Sequence, residues 1–188
     1  MRLSESFLTQ ECTGSLDAKR RTHLAELERS IAEAAARRDF SACYQYALDA
    51  AILSRELEQV ETETMGMFVR SFDFAVLTGL RVNKIECIYQ WAWSLYWWYE
   101  NYVAYYEKYK EFEALITDSV NLDEFEKVIN LWLLLFSTEN NGVKCDFNKH
   151  NEFIRNHYNA FQQNQNRPNV AVQAKVLCGV YCSMSKIP

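Results

Sequence analysis

The sequence predicts an all-α fold, and three features carry that expectation. Only 5 glycines and 2 prolines interrupt 188 residues, which leaves long stretches free of the strongest helix breakers. Apolar residues recur at spacings of three and four along most of the chain. The links between these runs are short and carry Asp or Asn where a helix would start, so successive helices must fold back on one another as antiparallel pairs. About seven helices in a helical-repeat-like bundle are expected, forming a single domain over residues 15–188 behind an N-terminal tail at 1–14. With 49% hydrophobic and 24% charged residues, a chain of this length buries a core without staples.

In chain order, Ser15 is placed to cap a first helix. Its Leu24, Leu27, Ile31 and Ala34 share a face, and Arg37 and Arg38 sit at its negative end. Asp39 is suited to cap a second helix bearing Phe40, Cys43, Ala47, Ala51 and Ile52. A third covers about 62–78, with Met65, Phe68, Phe72, Ala75 and Val76 inward and Gly79 to stop it. Asn83 followed by Glu86 reads as a capping box that opens a fourth helix, unbroken to about residue 112. The same grammar at Asn121-Leu-Asp-Glu124 opens a fifth, through Phe125, Val128, Trp132 and Phe136, which Ser137-Thr-Glu-Asn-Asn-Gly142 ends. Asp146 starts a sixth bearing Phe147, His150, Ile154, His157 and Phe161, and Pro168 suits the first turn of a seventh reaching about Met184.

Phe40-Ser-Ala-Cys-Tyr-Gln-Tyr-Ala47 is echoed by Ile85-Glu-Cys-Ile-Tyr-Gln-Trp-Ala92. Such a period arises from stacked helix pairs, or from the pattern any two amphipathic helices share. Arg38-Asp-Phe40, with Cys43, Ala47 and Ala50 after it, resembles the turn and second helix of a tetratricopeptide unit, over about residues 24–57. That resemblance implies a right-handed superhelix whose concave face holds a peptide or protein segment. It implies no catalysis.

The fourth helix is the most distinctive. Four of the five tryptophans and two tyrosines fall within residues 90–99, and four more tyrosines follow. On a helical wheel Ile85, Ile88, Ala92, Leu95, Tyr99, Tyr102, Val103, Tyr106 and Tyr109 form a core stripe. Tyr89, Trp93 and Trp97 stand on the opposite side at spacings of four, among Glu86, Gln90 and Glu100. Either another helix covers this second stripe or it is a recognition surface. As a surface, its contact residues are Tyr89, Trp93, Trp97, Glu86 and Glu100. It suits a protein or peptide partner that lays Lys or Arg over the indoles.

A net charge of −5 and a pI near 5.3 disfavour nucleic acid, whose backbone demands clustered Lys and Arg. The run Glu56, Glu58, Glu61, Glu63 reads as solvated surface, or as a steering field for a basic partner. The start of the chain lacks a signal-peptide core, and the longest charge-free aromatic run, 87–99, is too short to span a bilayer. No membrane span, and cytoplasmic residence with six reduced cysteines, are therefore expected.

No chemical constellation stands out. His150 and His157 share an apolar face, with Glu152 or Cys145 near enough in sequence to suggest a metal, but satisfied core histidines are the better reading. Cys178 and Cys182 have no second pair at ligand spacing. There is no nucleophile elbow and no phosphate-cradling loop. Arg155-Asn-His157 resembles the Arg and His pair of HEPN-family helical RNases, at a shorter gap, which implies His157 as acid or base and Arg155 on a phosphate. The expected function is a non-catalytic binding protein, such as an inhibitor, immunity factor, chaperone or adaptor, without metal or cofactor. A HEPN-like RNase and a structural subunit of a larger complex are the alternatives.

Overall fold

A computed structural model describes residues 3–163, with side-chain environments for 16–160 and 163. Among the described residues there are seven α-helices and no strand: α1 (Leu3–Ala36), α2 (Phe40–Glu56), α3 (Glu61–Leu77), α4 (Arg81–Trp97), α5 (Tyr102–Ile116), α6 (Leu122–Asn140) and α7 (Phe147–Gln163). The fold is all-α, and the packing of α1 on α2, α2 on α3, α5 on α6 and α6 on α7 is consistent with antiparallel pairing. These are not the same seven helices that the sequence predicts. The long aromatic rod is two helices, and the expected helix at 168–184 lies outside the described residues. Cα packing groups the chain into two compact units, 1–87 and 88–188, with the boundary inside α4.

In the first unit α1 packs on α2 and α2 on α3. Helix α1 starts at Leu3, so Ser15 lies within it and caps nothing. Leu24, Leu27 and Ile31 of α1 form the core with Ala47, Ala50, Leu53 and Leu57, as the three-four spacing requires. Asp39 caps α2, its carboxylate accepting the Ala42 N–H at 3.0 Å. Arg70 of α3 grips the Glu28 carboxylate of α1 through both terminal guanidinium nitrogens.

The faces of α3 depart from expectation. Thr64, Phe68, Ser71 and Ala75 are buried, Met65 and Phe72 are half-buried, and Val76 is exposed. Ser54 of α2 is fully buried and its hydroxyl needs partners, which Thr64 Oγ1 at 2.6 Å and Gln59 Oε1 at 2.7 Å provide. That pairing is possible because the 64/68/71/75 row faces inward.

In the second unit α5 packs on α6 and α6 on α7. Asn121 caps α6 through the Asp123 N–H, and Asp146 accepts the Lys149 N–H at the start of α7, both as predicted. Trp132 is fully buried, and its indole N–H reaches Asn151 of α7 at 3.1 Å.

The main correction concerns the aromatic rod. Helix α4 ends at Trp97, and Trp98 to Asn101 form a turn with Glu100 in the left-handed region at φ +49. Asn101 then caps α5, accepting the Ala104 N–H at 3.2 Å. The turn re-phases the helix behind it. Tyr105, Tyr109, Phe112 and Ile116 are buried, whereas Tyr102 and Tyr106 are half-buried and Val103 is exposed. Helix α4 also starts at Arg81, two residues before the expected Asn83 cap. Asn83 instead donates to Thr78 Oγ1, which also accepts the Leu80 N–H.

This turn has a twin 62 positions earlier. Arg38 is left-handed at φ +57, and the cap Asp39 has φ −85 and ψ 80, against −88 and 76 for Asn101. An aromatic opens each following helix, Phe40 or Tyr102. Each buried residue of α5, Tyr105, Tyr109, Phe112, Glu113 and Ile116, has a buried counterpart 62 positions earlier in α2, at Cys43, Ala47, Ala50, Ala51 and Ser54, although α2 also buries Tyr44, Leu48, Leu53 and Arg55. Phe40 and Ile85, paired in the sequence echo, are not structurally alike, because Phe40 opens a helix and Ile85 lies inside one.

Candidate recognition surface on helix α4

The predicted ladder exists as packed rungs. Tyr89 and Trp93 have ring centroids 5.9 Å apart, as do Trp93 and Trp97. Its foot is covered: Tyr89 packs on Phe112 at 6.1 Å, and Lys127 Nζ lies 5.8 Å over its ring. Its head is open, with Trp93 half-buried and Trp97 55% exposed in the last residue of α4.

The turn extends the ladder with rings that the helical wheel did not place there. Tyr96 is buried and touches Trp97 edge-on at 5.0 Å, Tyr102 at 5.5 Å and Tyr105 at 5.3 Å. Trp97 therefore stands on a rigid aromatic base, at low cost in side-chain entropy on binding. Trp98, in the turn, is a further exposed indole. The only advance signal for these positions was Asn101, a residue suited to capping a new helix.

The predicted carboxylates separate. Glu100 is not on the helix face but in the turn, exposed. Partial burial, and next the Glu100 carboxylate, hold the Tyr102 phenol above its ordinary pKa. Glu86 is half-buried and falls in the first unit. Lysines already use aromatic faces in the second unit: besides Lys127, Lys108 Nζ sits 3.9 Å over Trp91, and Lys110 Nζ 5.0 Å over Tyr106.

His150 and His157 are core groups. His150 is 1% exposed; its Nδ1 lies 2.8 and 2.9 Å from the two Glu113 carboxylate oxygens and its Nε2 3.0 Å from Tyr106 Oη. Tyr109 O–H donates to Glu113 Oε1 at 2.6 Å, and the Asp146 N–H donates to Tyr106 Oη at 3.1 Å. Nδ1–H donating to Glu113, with Tyr106 O–H donating to Nε2, satisfies every member. Burial, then the Glu113 carboxylate, push the Tyr109 phenol well up.

His157 lies between two backbone carbonyls. Its Nδ1 is 3.1 Å from the Phe153 carbonyl oxygen and its Nε2 2.9 Å from that of Ile116. Its ring lies against Phe153 at 4.3 Å and parallel to Phe125 at 6.3 Å. Arg155 is exposed, whereas His157 is 6% exposed. A cleft of about 310 Å³ beside His157 is lined by Thr117, Asp118, Val120 and Phe153 among others. His157 lines it as well.

The fold and this surface define an all-α protein of antiparallel helix pairs presenting an aromatic ladder. No protein-family model, curated protein or solved structure matches the chain. Among the described residues no helix is long and apolar enough to cross a membrane, and no group of His, Cys, Asp or Glu is arranged to hold a metal ion.

Proposed function

We propose that this is a non-catalytic binding protein that captures a basic protein or peptide segment on the Trp93 and Trp97 rungs. The observation that carries the reading is Trp97: a large indole more than half in solvent, yet braced from below by Trp93 and Tyr96. Rigid, exposed aromatics of this kind dominate binding hot spots. Glu100, beside Tyr102 at the open end, supplies the charge that favours Lys or Arg on the partner. The internal lysines over Trp91 and Tyr89 show the contact that such a guest would make.

The tetratricopeptide-like reading belongs here too, supported by the twin turns at Arg38-Asp39 and Glu100-Asn101. The free thiols of Cys43, Cys87 and Cys145 suit a reducing compartment such as the cytoplasm. The burial of His157, 6% exposed, favours binding over RNA cleavage.

A titration with Lys- and Arg-bearing peptides, followed by indole fluorescence, tests the proposal. Trp97→Ala should weaken capture at least about tenfold, some 1.4 kcal/mol, with the melting temperature within about 2 °C of wild type. Equal binding by both proteins would overturn it, as would tighter binding of Gln-substituted peptides. His157→Ala, assayed with RNA, separates the nuclease alternative: cleavage that vanished with the histidine would replace this reading.

A further inference from the structure

A cleft of about 370 Å³ lies in the first unit, formed by the first turns of α2 and the link from α3 into α4. Ser41, Tyr44, Gln45 and Tyr46 of α2 line it together with Leu80 and Asn83. Its volume is at the small end of ligand sites, which limits the size of an occupant. Every side chain that lines it is uncharged.

Tyr44 is the deeply buried polar group of the cleft. It is 5% exposed, and among the described residues its hydroxyl has no hydrogen-bond partner. Burial, then Cys87, Glu86 and Asp49, push this phenol well up, so it keeps its proton and remains a donor. Two amides bring acceptors. Gln45 donates its Nε2–H to Asp49 at 3.1 Å and Asn83 its Nδ2–H to Thr78 Oγ1 at 3.0 Å, which leaves each amide its oxygen.

This set of groups selects the chemistry of the occupant. An ion would enter without a counter-charge on the lining and lose its hydration uncompensated. A wholly apolar guest would leave the phenol and the amide oxygens unpaired. Hydroxyl groups meet both needs, since each can accept from Tyr44 and donate to Gln45 or Asn83. The Tyr46 ring and Leu80 offer apolar surface to the C–H face of a ring that carries such hydroxyls.

We infer that this cleft is a binding site for a neutral polyhydroxyl ring of monosaccharide size. The site is independent of the proposed peptide capture, whose rungs belong to the second unit.

Nuclear magnetic resonance titration of the full chain tests this with glucose, galactose, mannose and myo-inositol as probes, each up to about 50 mM. At least one probe should saturate, shifting the side-chain amide signals of Gln45 and Asn83. Tyr44→Phe deletes only the unpartnered hydroxyl and should weaken that probe at least about fivefold, with the melting temperature within about 2 °C of wild type. Gln45→Leu, at an exposed position, should weaken it several-fold and serves if the first variant is unstable. The methyl glycoside of a probe sugar, binding as well as the free sugar or not at all, tells a chain-borne sugar from a free one, and both results support the site. Four results would overturn the inference: no saturating probe, a saturating probe that leaves both amide signals unmoved, equal binding by either stable variant, or tighter binding of butylamine or acetate than of every polyhydroxyl probe.

Discussion

Replacing Glu113 with Ala tests how much of the second unit rests on one buried carboxylate. In the native protein Glu113 accepts from His150 Nδ1 and from the Tyr109 hydroxyl, and the partners at these contacts are almost wholly buried. Alanine removes the acceptor and leaves both donors inside without water. Each orphaned donor costs about 1 to 3 kcal/mol, so the pair costs about 2 to 6 before the cavity is counted. His150→Ala leaves the carboxylate buried with only Tyr109 to donate to it, which places that loss at about 1.5 to 3 kcal/mol before the cavity is counted. Tyr106, being half-buried, turns its hydroxyl to solvent at little cost. The two losses describe one interaction, so the double variant should fall short of their sum by about 2 kcal/mol. Urea unfolding followed by far-UV circular dichroism and by indole fluorescence reads all four corners of the cycle, with Trp132 reporting from the core of this unit. A Glu113→Ala cost below about 1 kcal/mol, or strict additivity in the double variant, would refute the claim that this cluster locks α5 to α7.

Other expectations follow from the same geometry. Asn101→Ala removes the cap from α5 and should cost about 0.5 to 2 kcal/mol by chemical denaturation, with loss of order at the Trp98 turn visible in amide exchange. Gly66→Ala meets open space in an ordinary helical conformation and should stabilise the protein by about 0.5 to 1 kcal/mol, raising the melting temperature by a few degrees. Burial, with the Glu139 carboxylate as the lesser cause, pushes the Cys145 thiol up to about 11. Little thiolate therefore exists at pH 8, and peptide-resolved alkylation should show Cys145 reacting more slowly than a free thiol, and faster once the pH nears 11. Cys43 and Cys87, both buried, should react only when the chain unfolds.

Much of this was legible from local rules. Leu24, Leu27, Ile31 and Ala34 are buried as their spacing requires, and Asp39, Asn121 and Asp146 cap the helices they precede. Gly79 and Gly142 take left-handed conformations just past helix ends. These features depend on neighbours three or four residues away, and sequence order alone supplies those neighbours.

Two things were decided only by tertiary structure. The first is where the aromatic rod breaks: neither glycine nor proline marks residues 83–112, and Glu100 adopts the left-handed conformation that its own side chain disfavours. Packing of Tyr96 on Tyr102 and Tyr105 is what repays that cost, and those contacts join residues across the turn. The second is which of several apolar rows faces inward. Helix α3 has two candidate faces, and the one turned inward, Thr64, Phe68, Ser71 and Ala75, includes the hydroxyl that meets the buried Ser54. Periodicity ranks faces by hydrophobicity within one helix, but burial is settled by what the neighbouring helix presents.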